Sequence, residues 1–349
     1  MTLSNRYRTG RSDLDTAILE LIGTAGLTED TDLVFELVVS ALRLGREDVT
    51  RGDRKLVNAA LKEIRYALGV FAPYRSVKKC SIFGSARTKV DHPAYNAAHE
   101  FAAALTARDW MIITGAGPGI MTAGLEGAGA ANSFGVNIQL PFEQQASPVL
   151  GDDPKLVNFR YFFTRKLMFV KESHALCVAP GGFGTLDETF EALTLMQTGK
   201  SFLVPVVLLD EPDGNYWEHL LRFVREELLA DGYISAADLD FLHVTHDPLD
   251  AVEHICGFYS TYHSMRWVGN RLIVRLQHEV DDSLLERLTA EFGDIITSGA
   301  VVRTEATDSE REDDDVVGLP RLAFRYNRHG YARLRTMINA INSWDDQPA

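Results

Sequence analysis

Asp187 and Glu188 follow directly on a glycine-rich turn, Pro180-Gly181-Gly182-Phe183-Gly184-Thr185, and no other stretch of the chain is better equipped for chemistry. Gly181, Gly182 and Gly184 lack a Cβ, so their N–H groups can approach a ligand closely, and anions suit such turns. Thr185 adds a hydroxyl at the start of an expected helix whose apolar residues Leu186, Phe190, Leu193 and Met196 recur at three- and four-residue intervals. Acids in a first helical turn ordinarily compensate the helix dipole. Beside a phosphate- or sugar-sized hollow they can also bind hydroxyls, or offset the positive charge that develops as a glycosidic bond breaks. The apolar run 175–179 before the turn shows no polar alternation, which predicts a parallel strand buried on both faces.

Two earlier turns have the same character. An expected strand over 79–83 ends in Gly84-Ser85-Ala86-Arg87, where Arg87 reads either as a surface residue or as a phosphate contact. A second strand over 110–114 runs into Gly115-Ala116-Gly117-Pro118-Gly119-Ile120-Met121 and a helix rich in Ala and Gly. Taken alone, GxGxG before a helix is a weak dinucleotide-binding signal, and the internal proline and the position after a second strand weaken it further. A strand over 135–141 would set Asn137, Glu143 and Gln144 near its C-terminal end, where ligands of open α/β sheets collect; a plain polar loop is the alternative.

The run 180–188 resembles the PGGxGTxxE signature of the LOG (Lonely Guy) family, cytokinin-activating phosphoribohydrolases and bacterial nucleotide 5′-monophosphate nucleosidases. Arg165-Lys166 stands where that family has an Arg-Lys pair, Thr194, Gln197 and Gly199 match positions after its glutamate, and 115–121 is similar to its GGGPGIM loop. Thr122 follows Met121 where many relatives have Glu, so no acid is expected there. The resemblance spans about 76–262. It implies an α/β fold, a Rossmann-like open parallel sheet with helices on both faces, acting without a cofactor on the N-glycosidic bond of a nucleoside 5′-monophosphate. Arg165 and Glu188 would be catalytic. Gly84, Ser85, Arg87, Gly115, Gly117, Gly119, Met121, Lys166, Gly181, Gly182, Gly184, Thr185 and Thr194 would bind substrate. Glu188 would stabilise charge, bind ribose hydroxyls or orient water, and the resemblance does not choose among these. It also implies a homodimer or higher homo-oligomer. Two other readings stand beside it. One is a non-catalytic nucleotide sensor or carrier. The other is a pyridoxal-phosphate decarboxylase, a label often given to this family, for which Lys166, Lys171 and Lys200 offer no recognisable Schiff-base setting.

The elements that must position these residues fall into three expected domains. Residues 1–75 read as amphipathic helices ending at Ala72-Pro73-Tyr74, 76–262 as the nucleotide-binding core, and 266–349 as a small α+β domain. In the core, the aromatic run 158–166 is expected to begin a helix, Pro205 to mark an edge or bulge in a strand over 202–209, and 250–262 to be helical. The last domain reads as strand, helix, two strands, helix, which suggests a ferredoxin-like or ACT-like module. Its acidic stretch 305–315 is either a solvated loop or a regulatory site for a nucleotide effector.

Composition excludes several classes. With 46% hydrophobic and 24% charged residues over 349 positions, the chain is ordinary globular protein. A formal net charge of −14 argues against a nonspecific nucleic-acid binder. No apolar run approaches the roughly 20 residues that span a bilayer, and the N-terminal segment lacks a signal-peptide core, so a cytoplasmic protein without membrane partners is expected. Cys80, Cys177 and Cys256 show no CxxC spacing and read as core residues, and the histidines show no metal-binding pattern.

Overall fold

Four short apolar runs, each buried along its whole length, make the centre of the molecule: β1 (Lys79–Phe83) below, and three more like it. A strand shielded on both faces needs no polar alternation, and these segments are mostly apolar, with Lys79, Ser81 and Thr114 as buried exceptions. The computed structural model describes residues 7–139 and 147–344. Contacts divide the chain into two units, one ending at Tyr66 and the other beginning at Ala67.

The first unit holds α1 (Ser12–Thr24), α2 (Thr31–Arg46) and most of α3 (Arg51–Phe71). Ile18 and Ile22 of α1 meet Phe35 and Val39 of α2, the pairing that the helical spacing of these residues dictates. The buried Asp15 carboxylate accepts the N–H of Thr9 at 3.0 Å and its hydroxyl at 2.6 Å.

The second unit continues from β1 through α4 (Pro93–Thr106), β2 (Met111–Thr114), α5 (Ile120–Ala128), β3 (Ser133–Ile138), β4 (Leu156–Phe159), α6 (Phe162–Glu172), β5 (Ala175–Val178), α7 (Phe183–Gln197), β6 (Val206–Leu209), α8 (Tyr216–Phe223), β7 (Leu242–Thr245) and α9 (Pro248–Gly257). The seven strands are parallel, in the order β4-β3-β2-β1-β5-β6-β7. Successive strands are added in opposite directions on either side of the β1/β5 boundary, so the crevice outside their C-terminal ends is the topological switch point where ligands of such sheets bind. Ile82 and Cys177 join residues of α4, α5 and α9 in one core. On the opposite face Phe169 of α6 meets Phe83 edge-on, with ring centres 4.9 Å apart.

Three expectations are corrected here. Residues 156–159 form β4, an edge strand, before the helix that the aromatic run suggested begins at Phe162. Pro205 lies outside β6, which starts at Val206, so it makes neither edge nor bulge. The segment expected as the end of a helix near Tyr262 is a strand, β8 (Tyr262–Val268).

That strand opens a second sheet with β9 (Arg271–Leu276), α10 (Asp282–Glu291), β10 (Ile296–Arg303), α11 (Asp308–Glu312), β11 (Arg321–Tyr326) and α12 (Tyr331–Asn342). Its strands are antiparallel in the order β10-β11-β9-β8. The element order therefore starts with two strands before the first helix, where a ferredoxin-like or ACT-like module starts with one. Both sheets lie within one compact unit. Asn342 at the end of α12 joins them, accepting the N–H groups of Thr261 and Tyr262 at 3.1 and 2.8 Å and donating to the Phe258 carbonyl at 2.7 Å.

The acidic stretch 305–315 is more than a solvated loop. Glu310 is fully buried and accepts from Arg275 at 2.8 Å and Arg321 at 3.3 Å. Burial alone would raise its pKa, but the Thr307 N–H, Arg275 and Arg321 hold it down to about 2. Removing one member of a buried ion pair leaves the other charge uncompensated, at a cost of about 3 kcal/mol or more. Glu310→Gln should therefore lower the denaturant midpoint clearly at pH 7; an unchanged midpoint would show that the network carries no stability.

Candidate functional site

Three glycine turns meet at the C-terminal ends of β1, β2 and β5, and backbone hydrogen bonds join them. The Ser85 N–H donates to the Pro180 carbonyl at 3.0 Å, and the Ile120 N–H donates to the Ser85 carbonyl at 3.1 Å. The packing explains the glycines. A Cβ on Gly119, which has φ +69°, would lie 2.3 Å from the Ser85 carbonyl oxygen, and one on Gly84 would lie 2.6 Å from Ile120. A Cβ on Gly181 would fall 2.1 Å from the Thr185 hydroxyl, while Met121 folds over Gly115 and Gly117. Gly182 and Gly184 face open space at the mouth of the last turn.

α7 begins at Phe183, with Gly182 as its N-cap and no acid in its first turn. α5, which starts after Gly119, likewise carries no acid in its first turn. The two N-termini thus present partial positive charge to the same crevice, although the first N–H of α5, that of Ile120, is already taken by the Ser85 carbonyl. The expectation that Asp187 and Glu188 occupy the first turn is corrected: both lie in the second, so they do not cap the dipole. The buried face of α7 is Thr185, Thr189, Ala192 and Met196, and Phe190 is exposed rather than part of the expected apolar stripe.

Arg165 comes to this crevice from α6. Its Nε donates to the Val136 carbonyl at 2.8 Å, and its Nη2 lies so near Gly115 that a Cβ there would meet it at 2.3 Å. Burial lowers its pKa and the charge of Glu188 raises it. Glu188 is largely buried, and burial pushes its carboxyl up to about 7 against the pull of Lys166 and Arg165, with Asp187 and Glu191 adding to the rise. A group raised in this way contributes stability that is fully present below its ordinary value of 4.5 and is lost as pH climbs through about 7. Glu188→Gln should melt like the unaltered protein at pH 5 and be the more stable of the two at pH 9, by up to about 3 kcal/mol. An equal difference at both pH values would mean that Glu188 titrates normally.

Lys166 is placed otherwise than the sequence suggested. Its ammonium lies 2.7 Å from Asp187, 2.5 Å from Glu191 and 3.8 Å from Glu188, so carboxylates hold it and it does not project toward the turns as a phosphate grip. Thr194 is exposed and its hydroxyl donates to the Phe190 carbonyl at 2.7 Å, which leaves it outside the crevice. Arg87 is exposed beside Ser85, whose hydroxyl accepts the Arg87 N–H at 3.1 Å. Asn137 donates to Asn158 at 2.8 Å as a cross-strand pair, and Thr122 closes its own loop by donating to the Gly117 carbonyl at 2.9 Å. Glu143 and Gln144 lie outside the described residues.

Tyr216 escaped the sequence reading. Its hydroxyl donates to the Gly181 carbonyl at 2.7 Å and braces the turn before α7. Its position just after the C-terminal end of β6, on the same edge of the sheet as the glycine turns, is the signal that could have found it.

The lysines do not fit pyridoxal phosphate. A Schiff base needs a neutral amine. Burial lowers the Lys166 pKa, but hydrogen bonds with Asp187 and Glu191 raise it on balance. Lys171 is paired with Glu172 at 2.6 Å, and Lys200 is exposed. Among the described residues no group of His, Cys, Asp or Glu is arranged to hold a metal ion, and no helix is long and apolar enough to cross a membrane.

Fold and site together define an open parallel α/β protein with an anion-receptive crevice at its switch point. A family profile described as "Possible lysine decarboxylase" matches residues 118–255. The cytokinin riboside 5′-monophosphate phosphoribohydrolase of Mycobacterium tuberculosis (strain ATCC 25618 / H37Rv) is 31% identical over 161 residues, covering 44% of this chain and 81% of that protein. The chain belongs to the LOG family. Solved structures like it include the molybdenum cofactor binding protein of Rippkaea orientalis, at 16% identity and TM-score 0.36, covering 51% of this chain and 94% of that one. The molybdenum cofactor carrier protein of Chlamydomonas reinhardtii matches at 19% identity and TM-score 0.35, with 52% and 98% covered. Likeness at this level bears on neither ligand nor reaction.

Proposed function

We propose that this protein hydrolyses the N-glycosidic bond of nucleoside 5′-monophosphates, releasing free base and ribose 5-phosphate. The observation that carries the reading is the single crevice in which two acid-free helix N-termini stand beside a buried carboxyl of raised pKa and a guanidinium. The N-terminal ends of α5 and α7, with the open turn at Gly182 and Gly184, would hold the phosphate, and Arg165 would fix the sugar end of the substrate against Glu188. As the C1′–N bond breaks, its electron pair leaves with the base and positive charge spreads over C1′ and the ring oxygen. The Glu188 carboxylate offsets that charge. Water adds at C1′; one of its protons passes to Glu188 and the base takes up a proton from solvent. A carboxyl near pH 7 suits both duties, since it is ionised in half the molecules and still basic enough to accept a proton.

AMP is the first substrate to try, and cytokinin riboside monophosphate follows from the name of the mycobacterial relative. Incubation with AMP, GMP, CMP and UMP, with released base followed by chromatography, tests the reading. Base from at least one nucleotide is expected; tight binding without release from any would leave a sensor or carrier. Phe162, Phe163 and Leu167 on α6 and Phe183 and Phe190 on α7 are exposed apolar side chains around the crevice, Phe183 at 94%. They support a homo-oligomer in which a second copy covers this face.

A further inference from the structure

A cavity of about 820 Å³ lies between α6 and α7 of the core and the β8–β9 edge of the second sheet; Glu188 is in its lining but no residue of the three glycine turns is. Its size is that of a small-molecule site, and its lining, mostly apolar with a few converging polar groups, has the character of one. Phe83, Phe169 and Leu176 form the core side. Tyr262, Trp267 and Tyr331 supply aromatic surface from the other. These last three residues, with the whole second sheet, lie beyond the stretch 118–255 that the family profile matches.

The polar groups indicate what the cavity would take. Arg275 faces it, but Glu310 at 2.8 Å and Asp315 at 2.5 Å balance its charge. Arg266 is paired with Asp313 at 2.5 Å and Asp315 at 3.0 Å. Lys171 is held by Glu172, and Lys200 stands exposed at the rim. With Arg266, Arg275 and Lys171 neutralised in this way and Lys200 turned to solvent, a phosphate would gain little inside the cavity. Hydrogen-bonding groups remain. The Ser264 hydroxyl shares a 2.8 Å bond with His263 Nδ1 and accepts from Arg275 at 3.3 Å, which leaves His263 Nε2 free of that pair, and burial keeps the His263 ring below its usual pKa and hence neutral. His174 accepts the Lys79 N–H at Nδ1, 3.2 Å away, which leaves a proton on Nε2. Glu188 lines the same cavity from α7, so anything bound there touches the wall that carries the site's acid.

We propose that this cavity is a second ligand site, for an uncharged planar heteroaromatic molecule of nucleobase size. The molecule packs among Tyr262, Trp267 and Tyr331, is hydrogen-bonded by His263 and Ser264, and slows turnover by acting on Glu188. The binding claim stands by itself; the effect on turnover rests on the proposed function. Adenine is the probe, titrated calorimetrically into the full chain. Saturable binding near one adenine per chain is expected, and in the Glu188→Gln protein it should persist with unchanged affinity when AMP is saturating. Ser264→Trp, which fills the second-sheet end, should weaken adenine at least tenfold, and His263→Leu, which removes a polar group without filling space, at least fivefold. Adenine should also slow AMP turnover in the unaltered protein and not in Ser264→Trp. No saturable binding, displacement by AMP, or full affinity in both variants would overturn the site. If adenine binds as described but no nucleotide is hydrolysed, the nucleosidase reading fails and the second site remains.

Discussion

Glu188→Gln is expected to lower AMP turnover by about 10³-fold while nucleotide still binds. Gln keeps the shape and hydrogen-bonding reach of the side chain but can neither offset charge at C1′ nor accept a proton from water. Under the proposed function the phosphate is held by helix N-termini and not by Glu188, so affinity should change by less than about threefold, a loss that falls on kcat rather than KM. The pH profile gives an independent reading. Because the Glu188 carboxyl sits at about 7 and the ionised form does the work, kcat/KM of the unaltered protein should fall as pH drops through about 7. The residual activity of Glu188→Gln should lack that limb. Full activity in the variant would remove Glu188 from the mechanism.

Arg165 should be nearly as costly to replace, and for a different reason. Its guanidinium holds the Val136 carbonyl while its charge acts on Glu188. A lysine keeps the charge but cannot reproduce the planar fork, so Arg165→Lys should lose about 10²-fold in kcat/KM. Arg165→Met removes the charge as well. Since Arg165 pulls the Glu188 pKa down, its loss should move the acidic limb to higher pH, above about 7. A limb that stays in place while activity drops would mean that Arg165 acts only on substrate. Gly115 leaves the room that this guanidinium occupies, which connects the first glycine after β2 to the placement of Arg165 by α6.

Much of the crevice is legible in the sequence because glycine turns after buried strands are local signals. Gly84, Gly119 and Gly181 are required by contacts that the turns make with one another. The place of Glu188 was harder to read. Its spacing from the glycines was plain, but α7 starts at Phe183, two residues before Thr185, and this moves both acids out of the first turn. The fate of Lys166 depends on how α6 and α7 face each other, which no local pattern records; that juxtaposition gives it to Asp187 and Glu191. β8 carries His263, Ser264 and Arg266, which obscure its apolar side, yet the two-residue Gly269-Asn270 connection to β9 is a hairpin signal that was there to be used. The burial of Glu310 is illegible in the sequence because its partner Arg275 lies 35 residues away on β9 and nothing local shows that this strand packs against α11.

The most direct test follows one AMP reaction mixture by proton and phosphorus NMR. Free adenine should grow in step with ribose 5-phosphate, one for one, with no inorganic phosphate. Adenosine with inorganic phosphate, or AMP unchanged at high enzyme concentration across pH 6 to 9, would contradict the assignment of this crevice to glycosidic-bond hydrolysis.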